Sequence, residues 1–149
     1  MRLRLLVVFV AALVLSASPS VADDKKDQDA LQGTWEVTAM VTDGKAEGAD
    51  KIKGATIVIK GDKITLSAAE GKLKRSFTFK LDSSKKPKAI DAVLQDSPLE
   101  GKTAKGIYEI KGETLTWCMP QDVDGKRPTE LRPKEGDKAL IFTAKRVKP

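Results

Sequence analysis

Hydrophobic and polar side chains alternate in eight short segments of the chain beyond Gly33. Gly, Asp, Lys and Pro residues separate the segments, and none of them shows a sustained apolar period of about 3.6 residues. Only Asp24–Gln32 could hold a short helix. Regular strand spacing without intervening helices predicts an all-β fold, either an antiparallel barrel or a sandwich. The predicted strands are Thr34–Thr42, Ala55–Lys60, Lys63–Ala68, Leu73–Leu81, Lys88–Gln95, Ala104–Lys111, Glu113–Met119 and Lys138–Val147.

Two hairpins can be predicted from the residues between adjacent strands. Gly61-Asp62 and Gly112-Glu113 each form a two-residue connection that begins with glycine. Glycine in this position is typical of a type II′ turn, which fixes the register of both flanking strands. The register agrees with the alternation of apolar side chains, and a slip of one residue would destroy that agreement. The predicted opposite pairs are Lys60 and Lys63, Ile59 and Ile64, Val58 and Thr65, Ile57 and Leu66, Ile110 and Leu115, Glu109 and Thr116, and Tyr108 and Trp117.

The same alternation predicts which side chains of the other strands point inward. Eight strands closed into a barrel leave an interior that side chains fill or that holds one small ligand. The predicted inner face comprises Trp35, Val37, Ala39, Val41, Phe77, Phe79, Leu81, Ile90, Ala92, Leu94, Leu140, Phe142 and Ala144. The predicted outer face comprises Glu36, Thr38, Thr42, Thr78, Lys80, Asp91, Thr143 and Lys145.

The first 22 residues have the pattern of a secretory signal peptide. Arg2 and Arg4 precede the apolar run Leu5–Leu15, and Ser20-Val21-Ala22 offers small residues before a cleavage site. As a helix, the run would reach only about 16 Å, against roughly 30 Å of hydrocarbon in a bilayer. We therefore expect a signal peptide at 1–22, a single domain at 23–149, and a protein that is secreted or lies in the periplasm or cell envelope. No stable membrane insertion is expected after cleavage.

The amino-acid composition argues against several kinds of functional site in this domain. The chain has no His and a single Cys, which argues against a Cys/His metal site, an intrachain disulfide and a histidine general base. Loss of Arg2 and Arg4 would lower the formal net charge from +6 to +4, and Lys then far outnumbers Arg. Specific nucleic-acid recognition depends on Arg forks and stacking aromatics, so no nucleic-acid partner is expected. Without a recognisable catalytic motif or an inward carboxylate pair, we expect neither an enzyme nor a cofactor.

Three positions indicate how such a barrel would be closed at one end. Gly33 and Trp35 open the first strand, and Arg146 ends the last strand in phase with the inward Ala144. The arrangement resembles that of the lipocalins, in which a Gly-x-Trp at the barrel base is covered by an Arg from the final strand. The resemblance implies an eight-stranded up-and-down barrel with a short N-terminal helical turn. The guanidinium would stack on the indole at the barrel floor.

Further motifs resemble an uncharacterised family of small exported lipocalin-like domains that is typical of planctomycete-type bacteria. The resemblance implies a lipocalin-like barrel and export, and it supplies no ligand, activity or catalytic residue. The motifs are Leu31-Gln32-Gly33-Thr34-Trp35, Lys60-Gly61-Asp62, Lys85-Lys86-Pro87-Lys88-Ala89-Ile90-Asp91, Gly101-Lys102-Thr103, Gly106-Ile107-Tyr108-Glu109 and Arg127-Pro128-Thr129-Glu130.

Two functions from different classes fit this barrel. The inward aromatic side chains could line a pocket for a small apolar molecule, with the Tyr108 hydroxyl as a polar contact. Alternatively, they fill a solid core, and the barrel is a structural or interaction domain whose loops or outer face contact a protein or an envelope polymer. The size of the internal cavity distinguishes the two. The lumen candidates are Phe77, Phe79, Tyr108, Trp117 and Phe142.

The remaining candidates carry weaker signals. Cys118 is predicted opposite Ile107 on the outer face, without a cationic partner that would activate its thiol. Asp122-Val123-Asp124-Gly125 lacks the acidic twelfth residue of a calcium loop, because Pro133 stands there. The basic cluster Lys85–Lys88 is either a solvated turn or a contact for an anionic surface. The long segment Pro120–Asp137 forms either a lid over the barrel mouth or an irregular edge segment anchored by Leu131.

Overall fold

Nine strands and two helices make up the protein in a computed structural model, which describes residues 19–68, 71–96 and 98–149, with side chains from residue 23 onward. Within these residues no helix is both long enough and apolar enough to cross a bilayer. Most of the predicted signal peptide, residues 1–18, lies outside the described part of the chain. The elements are α1 (Pro19–Leu31), β1 (Gly33–Thr42), β2 (Lys45–Ala46), α2 (Ala49–Ile52), β3 (Thr56–Lys60), β4 (Lys63–Ala68), β5 (Leu73–Asp82), β6 (Lys88–Leu94), β7 (Thr103–Lys111), β8 (Thr114–Pro120) and β9 (Ala139–Arg146).

The strands form a closed antiparallel meander. From β3 to β9 each strand pairs with the next along the chain, and β1 pairs with both β3 and β9. The two-residue strand β2 only extends β1 through a short hairpin. The eight longer strands therefore close an up-and-down barrel of lipocalin-like type, which confirms the predicted all-β fold class. Closure pairs β1 with β9, so the sheet does not end there in an open edge, which is the usual liability of an antiparallel sheet.

The two predicted hairpins have the predicted registers. Ile57 pairs with Leu66 between β3 and β4, and Tyr108 pairs with Trp117 between β7 and β8. Gly61 and Gly112 take φ values of 62° and 57°, the sign that a type II′ turn requires at its first central residue. The turn chemistry and the side-chain alternation specify the same pairing, so both local signals agree with the global fold.

A β-bulge in β1 reverses part of the predicted inner face. The pairing of β1 with β9 shifts between Val37 and Ala39, which leaves one extra residue on β1. Because side chains alternate with a period of two, the extra residue moves every later side chain to the opposite face. Ala39 is therefore exposed, and Val41 packs against an outer cluster. Met40 packs against the core instead of Ala39 and Val41. Thr42, which was predicted to point outward, lies on the same face of β1 as Met40.

Candidate ligand-binding cavity

The end of the barrel nearest α1 is closed by Trp35 and Arg146. The guanidinium carbon of Arg146 lies 4.3 Å from the centroid of the Trp35 ring, which is fully buried. The final carbonyl groups of a helix have no partner within the helix. Here Arg146 donates to the carbonyls of Ala30 and Gln32, and the Trp35 indole N–H donates to that of Leu31 at 2.8 Å. The floor pair therefore also caps the C-terminal end of α1.

Gly33 allows the close approach of Arg146 to α1. Its φ of 121° is unfavourable for residues with a side chain. A Cβ atom at this position would also lie 3.2 Å from Nη1 of Arg146. Glycine at this position therefore permits the backbone turn between α1 and β1, and it leaves space for the guanidinium of Arg146.

The hydroxyl of Tyr108 contacts α1 at the closed end of the barrel. It donates a 2.7 Å hydrogen bond to Oδ2 of Asp27, which also accepts one from the ammonium of Lys88 at 2.8 Å. Burial, followed by the hydrogen bond to the Asp27 carboxylate, raises the pKa of Tyr108 well above its ordinary value. The hydroxyl therefore anchors the helix, and the expectation that it offers a polar contact inside the lumen is wrong.

An aromatic layer fills the middle of the barrel. The rings of Trp117 and Phe77 meet edge to face with centroids 5.6 Å apart, and Phe142 lies 6.0 Å from Trp117 on another side. Phe79 is buried closer to the floor, where its backbone N–H bonds to the turn residue Asp62. The lower half of the barrel is thus a packed core.

A cavity of about 500 Å³ remains above this layer, at the open end of the barrel. Of the five lumen candidates, Phe77 and Phe142 line it, whereas Phe79, Tyr108 and Trp117 lie below it. All strands of the closed barrel except β3 contribute to its wall, and so do α2, Ala55 just before β3, and the segment after β8. The apolar lining comprises Val37, Met40, Ile52, Ala55, Leu66, Ala68, Leu73, Phe77, Leu94, Leu99, Ala104, Met119, Pro120, Val123, Leu140 and Phe142.

Three polar side chains complete the lining of the cavity: Lys51, Arg75 and Gln121. Lys51 forms a 2.7 Å ion pair with Glu47, four residues earlier. Arg75 lies on β5 between Leu73 and Phe77 in the inward phase and is half-buried. Arg75 is not among the residues predicted to line the lumen. It lies two residues before the inward Phe77 on the same strand, however, and that spacing predicts an inward side chain.

Residues 121–137, here termed the strap, complete the barrel wall where two strands separate. β7 and β8 pair only as far as Ile107 and Cys118, so their ends nearest the mouth have no ladder between them. Arg127 of the strap donates to the Gly106 carbonyl of β7 at 2.7 Å and forms an ion pair with Asp91. Lys102 and Asp124 form a second ion pair at 3.1 Å.

The strap combines the two roles that the sequence left open for this segment. Val123 lines the cavity at the mouth, as a lid residue would. Leu131 packs on the outer face of the sheet against a small cluster that includes Ile107, Cys118 and Ile141. Cys118 is completely buried there, and burial raises the pKa of its thiol to about 11. A thiol that keeps its proton is a poor nucleophile, so its environment is that of a core residue.

Across the described part of the chain, no group of three or more Cys, Asp and Glu side chains is arranged to hold a metal ion. Asp122 and Asp124 are exposed, and Asp124 is engaged by Lys102. The basic cluster at Lys85–Lys88 is mostly exposed, with Lys88 paired to Asp27.

Comparison with protein-family models gives no match for this chain, and comparisons with curated proteins and with solved structures give none either. The fold and its cavity therefore define only a class, that of lipocalin-like up-and-down β-barrels of eight antiparallel strands.

Proposed function

We propose that this protein is an exported, non-catalytic binding module that holds one small apolar molecule in the cavity at the barrel mouth. The observation that carries the proposal is a cavity of about 500 Å³ with sixteen apolar and three polar lining residues. Small-molecule sites are typically concave, mostly apolar and about 300–1,000 Å³ in volume, with a few polar groups that orient the ligand. The signal-peptide pattern and the resemblance to small exported lipocalin-like domains support the export part of the proposal.

The alternative function, a solid scaffold, fits only the lower half of the barrel. There, Trp117, Phe77 and Phe142 pack against one another and the floor pair seals the end. Protein interiors are normally packed to the density of organic crystals, with few voids larger than a water molecule. An apolar space of this size above a packed layer favours a ligand over a scaffold.

Filling the cavity tests the proposal, and the chain offers a matched pair of alanines. Ala68 ends β4 and lines the cavity, whereas Ala39 is exposed on β1 outside the barrel. We expect the neutral fluorescent dye Nile red to bind the mature protein with a stoichiometry near one. Ala68→Phe would weaken binding at least tenfold because the ring occupies the ligand's space, and Ala39→Phe would leave binding unchanged.

Denaturant unfolding provides the second readout. A ligand that binds only the folded state raises the free energy of unfolding by about 2.7 kcal/mol at a hundredfold excess over the dissociation constant. If the folded protein binds no dye, or if Ala68→Phe and Ala39→Phe bind equally well, the cavity is not a binding site. The scaffold function would then replace the proposed one.

A further inference from the structure

The charge of the cavity lining identifies the class of ligand more closely. Both charged side chains that line the cavity, Lys51 and Arg75, are cationic, and no carboxylate lies among its described lining residues. The ammonium of Lys51 is paired with Glu47 and is mostly exposed. Among the described lining residues, Arg75 is therefore the cation without an ion-pair partner.

The other arginines of the mature chain show how unusual Arg75 is. Arg127 and Arg146 are also half-buried, and each has a carboxylate partner, Asp91 and Glu113 respectively, together with backbone carbonyls. Arg132 is exposed to solvent. Within the described residues, Arg75 has neither an ion pair nor a hydrogen bond, although it points into an apolar space.

Partial burial of a guanidinium carries a desolvation cost, which a ligand that supplies hydrogen-bond acceptors would offset. A guanidinium is planar and presents its N–H groups as a fork that matches a carboxylate or a phosphate. Arg75 lies on β5 in the part of the strand that lines the cavity. On the same face of β5, Phe77 is the next residue toward the barrel floor and Leu73 is the next residue toward the mouth. A ligand head group at Arg75 would thus be reached from the mouth, with apolar surface beneath it for a tail.

We propose that the ligand is an anionic amphiphile whose apolar tail fills the cavity and whose carboxylate or phosphate head binds Arg75. This inference rests on the proposed binding function. It assigns Arg75 as the residue that selects for charge, and it assigns the apolar wall around Phe77 and Phe142 to the tail.

Matched chain molecules test the assignment. Dodecanoate, dodecyl phosphate and dodecanol share one tail and differ in the head group, and their dissociation constants for the mature protein can be measured by calorimetry. We expect at least one of the two anions to bind at least tenfold more tightly than the alcohol. The better anion shows whether a carboxylate or a phosphate is preferred.

Substitution of Arg75 provides the site-specific readout. Arg75→Gln should abolish the preference for an anion and leave dodecanol affinity unchanged, and Arg75→Lys should retain part of the preference. Arg132→Gln, which removes an exposed positive charge of the strap, is the matched control and should retain the full preference. If Arg75→Gln does not fold, dodecanol binding is lost as well. The test then depends on Arg75→Lys, in which the preference for an anion should be reduced.

The outcomes separate this inference from the proposed function. Equal affinity of the wild-type protein for the alcohol and both anions would overturn the assignment of Arg75 and leave apolar binding intact. An anion preference that survives in Arg75→Gln would overturn it as well. Failure of all three chain molecules and of the neutral dye to bind would overturn the proposed function itself.

Discussion

Tyr108 of β7 and Asp27 of α1 are joined by a 2.7 Å hydrogen bond that connects residues 81 positions apart. This bond holds the N-terminal helix against the closed end of the barrel, together with the ion pair between Asp27 and Lys88. The Tyr108 hydroxyl therefore stabilises the closed end of the barrel, and the cavity lies at the open end.

We expect Tyr108→Phe to lower the free energy of unfolding by about 1–3 kcal/mol. The substitution removes the donor and keeps the ring, so the loss reports the hydrogen bond to a charged acceptor. Asp27→Asn should cost less than Asp27→Ala because the amide oxygen still accepts a hydrogen bond. Urea denaturation of the single and double variants measures the coupling, and strictly additive losses would contradict a direct contribution of this bond to stability.

The pair at the barrel floor gives a second prediction. Trp35→Ala should lower the free energy of unfolding by about 3–5 kcal/mol because it truncates a fully buried aromatic ring. Arg146→Ala should cost about 1–3 kcal/mol through the lost bonds to the carbonyls of Ala30 and Gln32.

The two floor losses should be non-additive by about 0.5–3 kcal/mol because the side chains stack. If Trp35→Ala does not fold, Trp35→Leu removes the ring but leaves a smaller cavity, and it allows the cycle to be completed. Exposed Arg132→Ala is the control, with an expected change within about 0.5 kcal/mol. A cycle with no interaction energy would show that the stack contributes nothing beyond the two separate burials.

The barrel could be predicted from the sequence because its determinants are local. Two-residue turns that begin with Gly61 and Gly112 fix two registers, and period-two alternation fixes the faces of the strands. These signals require no knowledge of which distant residues meet. The contact between Trp35 and Arg146 is different, because strand phase predicts only that Arg146 points inward and the resemblance to the lipocalins implied its partner.

The bulge and the strap could not be predicted in the same way. A bulge at Val37–Ala39 depends on how β1 must bend to pair with both β3 and β9, and no residue type in that stretch marks it. The bond of Arg127 to Gly106 depends on the separation of β7 from β8, which is a property of barrel closure. Local alternation also cannot tell which inward residues fill space and which border a cavity, so it does not distinguish Tyr108, which contacts α1, from Arg75, which lines the cavity.

Stability should fall in alkaline solution because two buried groups retain their protons in the folded state. Burial raises the pKa of Cys118 from an ordinary value of 9.0 to about 11, and it raises that of Tyr108 from 10.0. Below pH 9.0 both states hold the proton of Cys118, and its full contribution to stability is present. Above that pH the unfolded chain releases the proton first, so the free energy of unfolding falls by up to about 1.4 kcal/mol per pH unit for each such group.

Urea denaturation between about pH 8 and 10.5 measures this decline, and each group can be removed separately. Cys118→Ala should flatten the portion that begins near pH 9.0, and Tyr108→Phe should flatten only the portion that begins near 10.0. Between about pH 5.5 and 7.5 stability should be nearly constant, because the chain has no His. A decline in Cys118→Ala as steep as that of the wild-type protein would show that the thiol is not the group that titrates.

Arg127 is expected to hold the strap in the gap between β7 and β8. Its guanidinium bonds to the Gly106 carbonyl and to Asp91, and each hydrogen bond to a charged group contributes about 1.5–3 kcal/mol. Loss of these bonds in Arg127→Ala should destabilise mainly the strap, because the hydrogen bonds between the barrel strands do not involve Arg127. The strap would then open locally while global unfolding changes little.

Two measurements check this expectation for the strap. Limited proteolysis should cut Arg127→Ala faster within residues 121–137, and a neutral dye bound in the cavity should dissociate faster because Val123 no longer holds its place in the wall. Arg132→Ala removes a positive charge from the same segment without removing an anchor, and it should behave like the wild-type protein. Faster cutting at the strap with unchanged dye release would show that ligands enter through the barrel mouth alone. Unchanged cutting would show that Leu131, packed on the outer cluster, is sufficient to hold the strap.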